Sequence, residues 1–226
     1  MKPKLIPIRP LLYRPLLYRP LLVLAPVVLC FPLSGPLHAQ DRKSASSPPE
    51  PPTPAARRFS DSRYRVAFEI PSAWNLSRRD GEVSTFRLDA RSAPLSSQLR
   101  GVATIAFNPY PQSTFSGALV YFSISSRTSD ADCARQAFLP LRRPTTTTGI
   151  NGVSFSHGYD EHGGICIESR DDVYTAYRGK ACYRFDLVVN TFCGGEVSGV
   201  RDMNHAEMED IRARERKILN SIEFQP

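Results

Sequence analysis

Several signatures of catalysis and membrane insertion are missing from this 226-residue chain. It has no G-x-S-x-G nucleophile elbow, no Walker phosphate loop and no G-x-G-x-x-G dinucleotide fingerprint. It also lacks a C-x-x-C pair, which argues against a zinc site of the common type. A mean hydropathy of −0.29 excludes a multi-span membrane protein. The hydrophobic fraction of 41% in turn excludes a wholly disordered chain.

Acidic residues are absent from residues 1–39, which carry five basic ones. The apolar run Leu21–Leu33 follows the basic part, contains two prolines and is shorter than the roughly 20 residues of a membrane span. We predict a secretory signal peptide that is cleaved between Ala39 and Gln40, and hence an exported protein of the periplasm or the extracellular space. An uncleaved segment that tethers the protein to the membrane is the alternative.

A proline-rich segment comes next, with five of the 20 prolines between residues 48 and 54. This composition favours an extended spacer, and we predict a disordered linker over residues 40–58. Residues 59–226 hold 20 basic and 20 acidic side chains. The net charge of +7 and the pI of about 9.3 therefore belong to the N-terminal segments. A neutral domain argues against nucleic acid as a partner, because phosphate binding needs a basic face.

The apolar pattern of residues 59–226 predicts a single α+β domain. We expect about eight mostly short strands, with a hairpin tip at Gly179-Lys180 and a polar loop over residues 145–151. A short helix is predicted over residues 130–138. A long C-terminal helix should begin at a capping box formed by Asn204 and Glu207. Strands in series before a packing helix favour an antiparallel sheet. The predicted strands cover residues 64–70, 82–90, 99–107, 118–125, 153–159, 165–168, 173–177 and 181–192.

Two short motifs at the ends of this domain support a family resemblance. The strand that ends Phe68-Glu-Ile-Pro-Ser-Ala-Trp74 and the helix that runs into Ile218-Leu-Asn-Ser-Ile-Glu-Phe224 resemble the PsbP-like family, and the order of elements is similar over residues 60–225. The resemblance implies an α/β/α sandwich around an antiparallel sheet. It also implies a non-catalytic binding or assembly module, as in photosystem assembly, and structural roles for Pro71, Trp74 and Ile218. The cysteines depart from the family pattern.

Four cysteines remain once the predicted signal is removed: Cys133, Cys166, Cys182 and Cys193. An even number in an exported domain predicts two disulfides. Cys182 and Cys193 lie at opposite ends of one predicted strand, roughly 35 Å apart, which is too far for a disulfide. A hairpin that turns at Gly179-Lys180 places Cys166 beside Cys193. We therefore predict the pairs Cys166–Cys193 and Cys133–Cys182.

One segment, from residue 157 to residue 162, contains residue types that suit metal binding or proton transfer. Its candidate ligands or acid–base groups are His157, Asp160, Glu161 and His162. Positions 157 and 162 point to opposite faces of a strand, so that only an irregular loop would bring the two imidazoles together. Gly163-Gly164 allow such a loop, and a polar turn is the simpler interpretation. No cofactor and no other catalytic residue is predicted.

The favoured function is an exported, disulfide-stabilised, non-catalytic binding or assembly module that acts on a protein partner in the cell envelope. A small hydrolytic or metal-dependent enzyme built on the segment from His157 to His162 is the second hypothesis. It requires a concave site that holds both histidines. A membrane-tethered structural envelope protein is the third, and it requires that the N-terminal segment is retained.

Overall fold

Residues 52–78, 94, 96–137, 146–195 and 199–225 are described by the computed structural model. The predicted signal peptide, most of the predicted linker and the predicted strand at 82–90 lie outside these ranges. In the described part, no helix is long and apolar enough to cross a membrane. The described residues form ten strands and two helices, in the order β1 (Arg57–Asp61), β2 (Val66–Ile70), β3 (Trp74–Arg78), β4 (Gln98–Ile105), β5 (Phe115–Ser126), α1 (Asp130–Gln136), β6 (Thr146–Ile150), β7 (Val153–Gly164), β8 (Ile167–Arg178), β9 (Ala181–Phe192), α2 (His205–Leu219) and β10 (Glu223–Phe224).

Two antiparallel sheets form the β-structure. The larger one has seven strands in the order β3-β4-β5-β9-β8-β7-β6, and the smaller one has the order β1-β2-β10. β5, β7, β8 and β9 each contain 12 residues. β9 has the predicted length, whereas the other three strands are longer than predicted. The α+β class with antiparallel strands is confirmed.

The larger sheet carries a helix on each face. Alternate residues of β9 point to opposite sides, so this one strand contacts both layers. The ring of Phe185 faces the small sheet and lies 5.8 Å from Phe68 of β2. It also stacks at 4.8 Å on Phe122 of β5, and α2 packs against β2, β5 and β9 on this side. On the other side, Cys182 of β9 is bonded to Cys133 of α1. The face toward the small sheet and α2 therefore holds the main apolar core. Burying each phenylalanine there contributes roughly 1.5–3 kcal/mol to stability.

Tight turns connect the long strands and set their register. Gly179 and Lys180 both have positive φ, 54° and 64°, which is the pattern of a type I′ hairpin turn between β8 and β9. The predicted tip is therefore confirmed, with Arg178 opposite Ala181. Asn151 and Gly152 also have positive φ, at 48° and 77°, between β6 and β7. The predicted polar loop at 145–151 is wrong here, because the Asn-Gly turn lets Thr146–Ile150 pair with β7 as a strand.

The C-terminal helix begins as the sequence predicts but ends early. Asn204 accepts a bond from the Glu207 amide at 3.0 Å, and Glu207 accepts one from the Asn204 amide at 3.0 Å, so the capping box is confirmed. α2 contains 15 residues and is not the long helix predicted. It stops at Leu219 because the chain turns at Asn220 to pair Glu223 and Phe224 with β2. On the N-terminal side of the fold, β1 starts at Arg57, inside the segment 40–58 that was predicted to be a linker.

Candidate functional site

The segment from His157 to His162 lies in the regular strand β7, with no irregular loop inside it. Alternation along the strand places His157 and Glu161 on the face of α2, and Asp160 and His162 on the face of α1. The two imidazoles are therefore on opposite faces of the sheet and do not form one site. Within the described ranges, no group of three or more His, Cys, Asp and Glu residues is arranged to hold a metal ion.

His157 links three neighbouring strands. Its Nε2 lies 2.8 Å from Asp172 Oδ1 on β8, and its Nδ1 lies 3.2 Å from Thr146 Oγ1 on β6. The imidazole also stacks on the ring of Tyr174, with centroids 4.3 Å apart. Because both ring nitrogens and the ring face have partners, His157 has a structural position that ties β6, β7 and β8 together.

Two of the other three candidates, Asp160 and His162, belong to a buried polar cluster on the same face of the sheet as α1. His162 Nδ1 lies 3.1 Å from Asp160 Oδ2. Nearby, the buried Arg184 donates to both carboxylate oxygens of Asp186, with Nε at 3.1 and 2.8 Å. Arg184 Nη1 also donates to the carbonyl of Gln136 at 2.8 Å, which connects the cluster to the end of α1.

Burial and charge act together on the acids of this cluster. The pKa of Asp171 is raised well above its ordinary value, first by burial and then by the neighbouring carboxylate of Asp186. Burial lowers the pKa of Arg184, but the charge and hydrogen bonds of Asp186 together with the charges of Asp171 and Asp160 outweigh it, and the net shift is upward. A guanidinium and a bonded carboxylate inside the protein hold each other in place. The cluster therefore positions α1 and leaves no described group exposed for chemistry.

A groove opens on the face of α2, at the end of the sheet where β8 begins and β9 ends. Its deeper part is a cavity of about 440 Å³. A shallower hollow of about 260 Å³ adjoins it along α2. Arg170, Met203 and Met208 line both, so we treat them as one surface, the α2 groove. Its other main lining residues are Tyr159, Ile167, Glu168, Asp202, Glu209 and Arg212.

The tip of the β7–β8 hairpin forms one wall of the α2 groove and presents two isoleucines. Ile165 is 97% exposed and Ile167 is 49% exposed, and they are two of the three exposed large apolar side chains among the described residues. The disulfide Cys166–Cys193 bonds this tip to the chain that follows β9, with the Cα atoms 4.7 Å apart. A side chain at Gly163 would bring its Cβ within 2.5 Å of the Ile167 carbonyl oxygen, so glycine permits this close approach.

Both disulfide pairs predicted from the sequence are present. Cys166 and Cys193 continue the β8–β9 register in which Ile167 lies opposite Phe192. Cys133 and Cys182 join α1 to the sheet with Cα atoms 5.2 Å apart.

Most charges of the α2 groove are arranged around Arg170, since the other lining arginine, Arg212, is paired with Glu209 at 3.1 Å. Arg170 Nε lies 3.0 Å from Glu161 and Nη2 lies 2.6 Å from Glu168, while Nη1 donates to Thr191 Oγ1 at 3.1 Å. Two carboxylates around one guanidinium leave a net negative charge, and Asp202 adds another at the wall. The groove therefore combines apolar contact surface with a negative rim, which suits binding of a positively charged partner.

Sequence reasoning missed the α2 groove, because its residues come from four separate segments. The one local signal is the pair Ile165 and Ile167 directly after Gly163-Gly164, because a turn at this point would ordinarily carry polar residues.

No family model matches this chain, and no curated protein matches it. The solution structure of cyanobacterial PsbP (CyanoP) from Synechocystis is similar in fold, with 11% identity and a TM-score of 0.43, over 75% of this chain and 92% of that one. A crystal structure from Bacteroides thetaiotaomicron has 12% identity and a TM-score of 0.40, over 76% of this chain; this chain spans about half (49%) of its length. The PsbP likeness agrees with the resemblance drawn from sequence as a weak similarity of fold, and says nothing about function.

Proposed function

We propose that this protein is an exported, non-catalytic binding or assembly module that contacts an envelope protein through the α2 groove and the β7–β8 tip. The observation that carries the proposal is the position of Ile165, which is 97% exposed on a tip held by a disulfide. An exposed apolar side chain on a fixed tip beside a concave surface is typical of an interaction site.

The proposed partner presents apolar side chains together with basic ones. Burial of Ile165 and Ile167 against the partner would supply the apolar contribution, about 25 cal/mol for each Å² removed from water. Glu161, Glu168 and Asp202 would attract Lys or Arg side chains, and this electrostatic term would weaken as salt is added.

Export is supported by the basic and apolar segment at residues 1–39 and by the two disulfides, since disulfides persist in oxidising compartments. We place the protein in the periplasm or the extracellular space and infer a PsbP-like α/β/α sandwich for its fold. The tethered alternative differs only in whether the N-terminal segment is retained. N-terminal sequencing of the mature protein separates the two, because a chain that starts at Gln40 has no anchor.

The enzyme hypothesis gains no support from the geometry, because His157 and His162 lie on opposite faces of the sheet.

The proposal is tested by photo-crosslinking in envelope extracts, with a crosslinking amino acid in place of Ile165. The matched control places it at Lys180, which is exposed at the other end of β8 on another two-residue tip. We expect a crosslinked protein at 165 that is absent at 180, reduced by salt and by Glu168→Lys, with Lys or Arg beside apolar residues in the linked peptide. Equal crosslinking at both tips, or none at 165, would refute the role of the groove.

A further inference from the structure

A second cavity lies on the opposite face of the sheet from the α2 groove, between α1 and strands β6, β7 and β8. Its volume is about 530 Å³, within the size range of small-molecule sites. We call it the α1 cavity. Five hydroxyl-bearing side chains line it: Thr147, Ser154, Ser156, Thr175 and Tyr177.

Three of these hydroxyl residues form a row across the sheet. Thr147 is the register partner of Ser156, and Ser156 is the register partner of Thr175. Directly paired residues share a face, so the three side chains point to the same side. With neighbouring strands about 4.8 Å apart, the row extends over roughly 10 Å. It presents groups that both donate and accept hydrogen bonds.

Thr175 points to a ligand. Its residue is 2% exposed, it lines the α1 cavity, and its Oγ1 has no hydrogen-bond partner within the described part of the chain. A buried hydroxyl is normally hydrogen-bonded, because its desolvation is otherwise uncompensated. A ligand hydroxyl in the cavity would supply that bond.

The remaining walls limit the class of ligand. Asp130 is exposed at the margin, whereas the guanidinium of Arg178 lies over the ring of Phe224, 4.7 Å from its centroid, and so points away from the cavity. Ionised ligands are disfavoured, because the interior row offers neutral hydroxyls in place of a charge partner. The ring of Tyr177 adds an apolar surface. Hydroxyl rows beside an aromatic ring suit a compound with many hydroxyls on one edge and C–H groups on its face.

We propose that the α1 cavity binds a neutral saccharide of one or two rings. The disulfide Cys133–Cys182 holds α1 over this part of the sheet and keeps the cavity formed without ligand. The row Thr147, Ser156 and Thr175 would exchange hydrogen bonds with the sugar hydroxyls, and Tyr177 would contact the ring face. This site is separate from the α2 groove, so the inference does not depend on the proposed partner there.

The test is saturation-transfer difference NMR on the purified full chain, with maltose and N,N′-diacetylchitobiose as probes. Glucuronic acid serves as the charged comparison and trialanine as the peptide comparison. We expect at least one neutral sugar to bind and neither comparison compound to do so. Thr175→Val keeps the side-chain shape, removes the hydroxyl, and should weaken sugar binding about tenfold.

Two further variants keep the test decisive. Ser156→Leu fills the cavity from the middle of the row and should abolish binding. Ser123→Ala removes another buried hydroxyl that has no partner within the described residues but lies outside the cavity, and it should bind as the parent does. Circular dichroism confirms that each variant is folded. Failure of both sugars, equal binding of trialanine or glucuronic acid, or sugar binding unchanged in Thr175→Val and Ser156→Leu would overturn the proposal.

Discussion

The two disulfides differ in exposure, and this difference predicts the order in which they are reduced. Cys133 and Cys182 are 1% and 0% exposed, whereas Cys166 and Cys193 are partly exposed and line the cavity of the α2 groove. Thiol–disulfide exchange needs a thiolate to reach the sulfur atom. A low concentration of dithiothreitol should therefore open Cys166–Cys193 while Cys133–Cys182 remains closed.

The loss of the exposed disulfide has a magnitude set by its loop. Cys166 and Cys193 are separated by 27 residues, and closing a loop of that size is worth roughly 3.5 kcal/mol in the chain-entropy model. A domain of this size loses roughly 2–4 °C in Tm for each kcal/mol. The double variant Cys166→Ser with Cys193→Ser should thus melt roughly 7–14 °C below the parent. The separation of 49 residues between Cys133 and Cys182 gives roughly 4 kcal/mol for the other pair.

Mass spectrometry of alkylated peptides measures which cysteines react first, and urea unfolding measures the change in the free energy of unfolding. We expect the alkylated peptides of Cys166 and Cys193 to appear before those of Cys133 and Cys182. Earlier reduction of Cys133–Cys182, or a Cys166/Cys193 double variant as stable as the parent, would show that the tip is held by contacts other than the disulfide.

Three more predictions concern single side chains. Arg184→Met leaves the buried Asp186 carboxylate without its bonded guanidinium and should lower the free energy of unfolding in urea by about 3–5 kcal/mol. Asn204→Ala removes the cap of α2 and should lower the free energy of unfolding by about 1 kcal/mol in the same assay. The α-helical content of the folded variant at 25 °C should not change. The pKa of Glu207 is lowered from 4.5 to about 2, chiefly by its bonds from Arg201 and the backbone of Asn204. A lowered folded-state pKa stabilises the protein above pH 4.5 and loses that effect as pH falls towards 2, so Glu207→Gln should flatten this part of the stability curve.

The parts of the fold that sequence predicts well are those where local chemistry and burial agree. β9 matches the predicted strand at 181–192, because both of its faces are buried and eight of its 12 residues are apolar or aromatic. The Gly179-Lys180 turn sets the register of β8 with β9, and from that register the disulfide pairs follow.

The parts that sequence predicts poorly are strands whose buried face is polar. The sequence pattern ends β7 at Tyr159 and splits β8 into 165–168 and 173–177, because Asp160, His162 and Asp171 interrupt the apolar alternation, yet all three are buried on the face of the sheet that carries α1. The positive charge near Asp160 and Asp171 comes from Arg184 on β9, so a local window cannot recognise these acids as inward-facing. β6 is not predicted for another reason: its Thr-rich segment suits a loop as well as a strand. The hairpin signal Asn151-Gly152 that follows it favours the strand.

Each disulfide stands at one of the two proposed sites, and their unequal exposure allows the two sites to be separated experimentally. Cys166–Cys193 fixes the tip at the α2 groove, whereas Cys133–Cys182 fixes α1 over the α1 cavity. Mild reduction should therefore release Ile165 and diminish crosslinking at position 165, while sugar binding in the α1 cavity continues. Loss of both under mild reduction would mean that the two faces unfold together, and that the proposed sites are not independent.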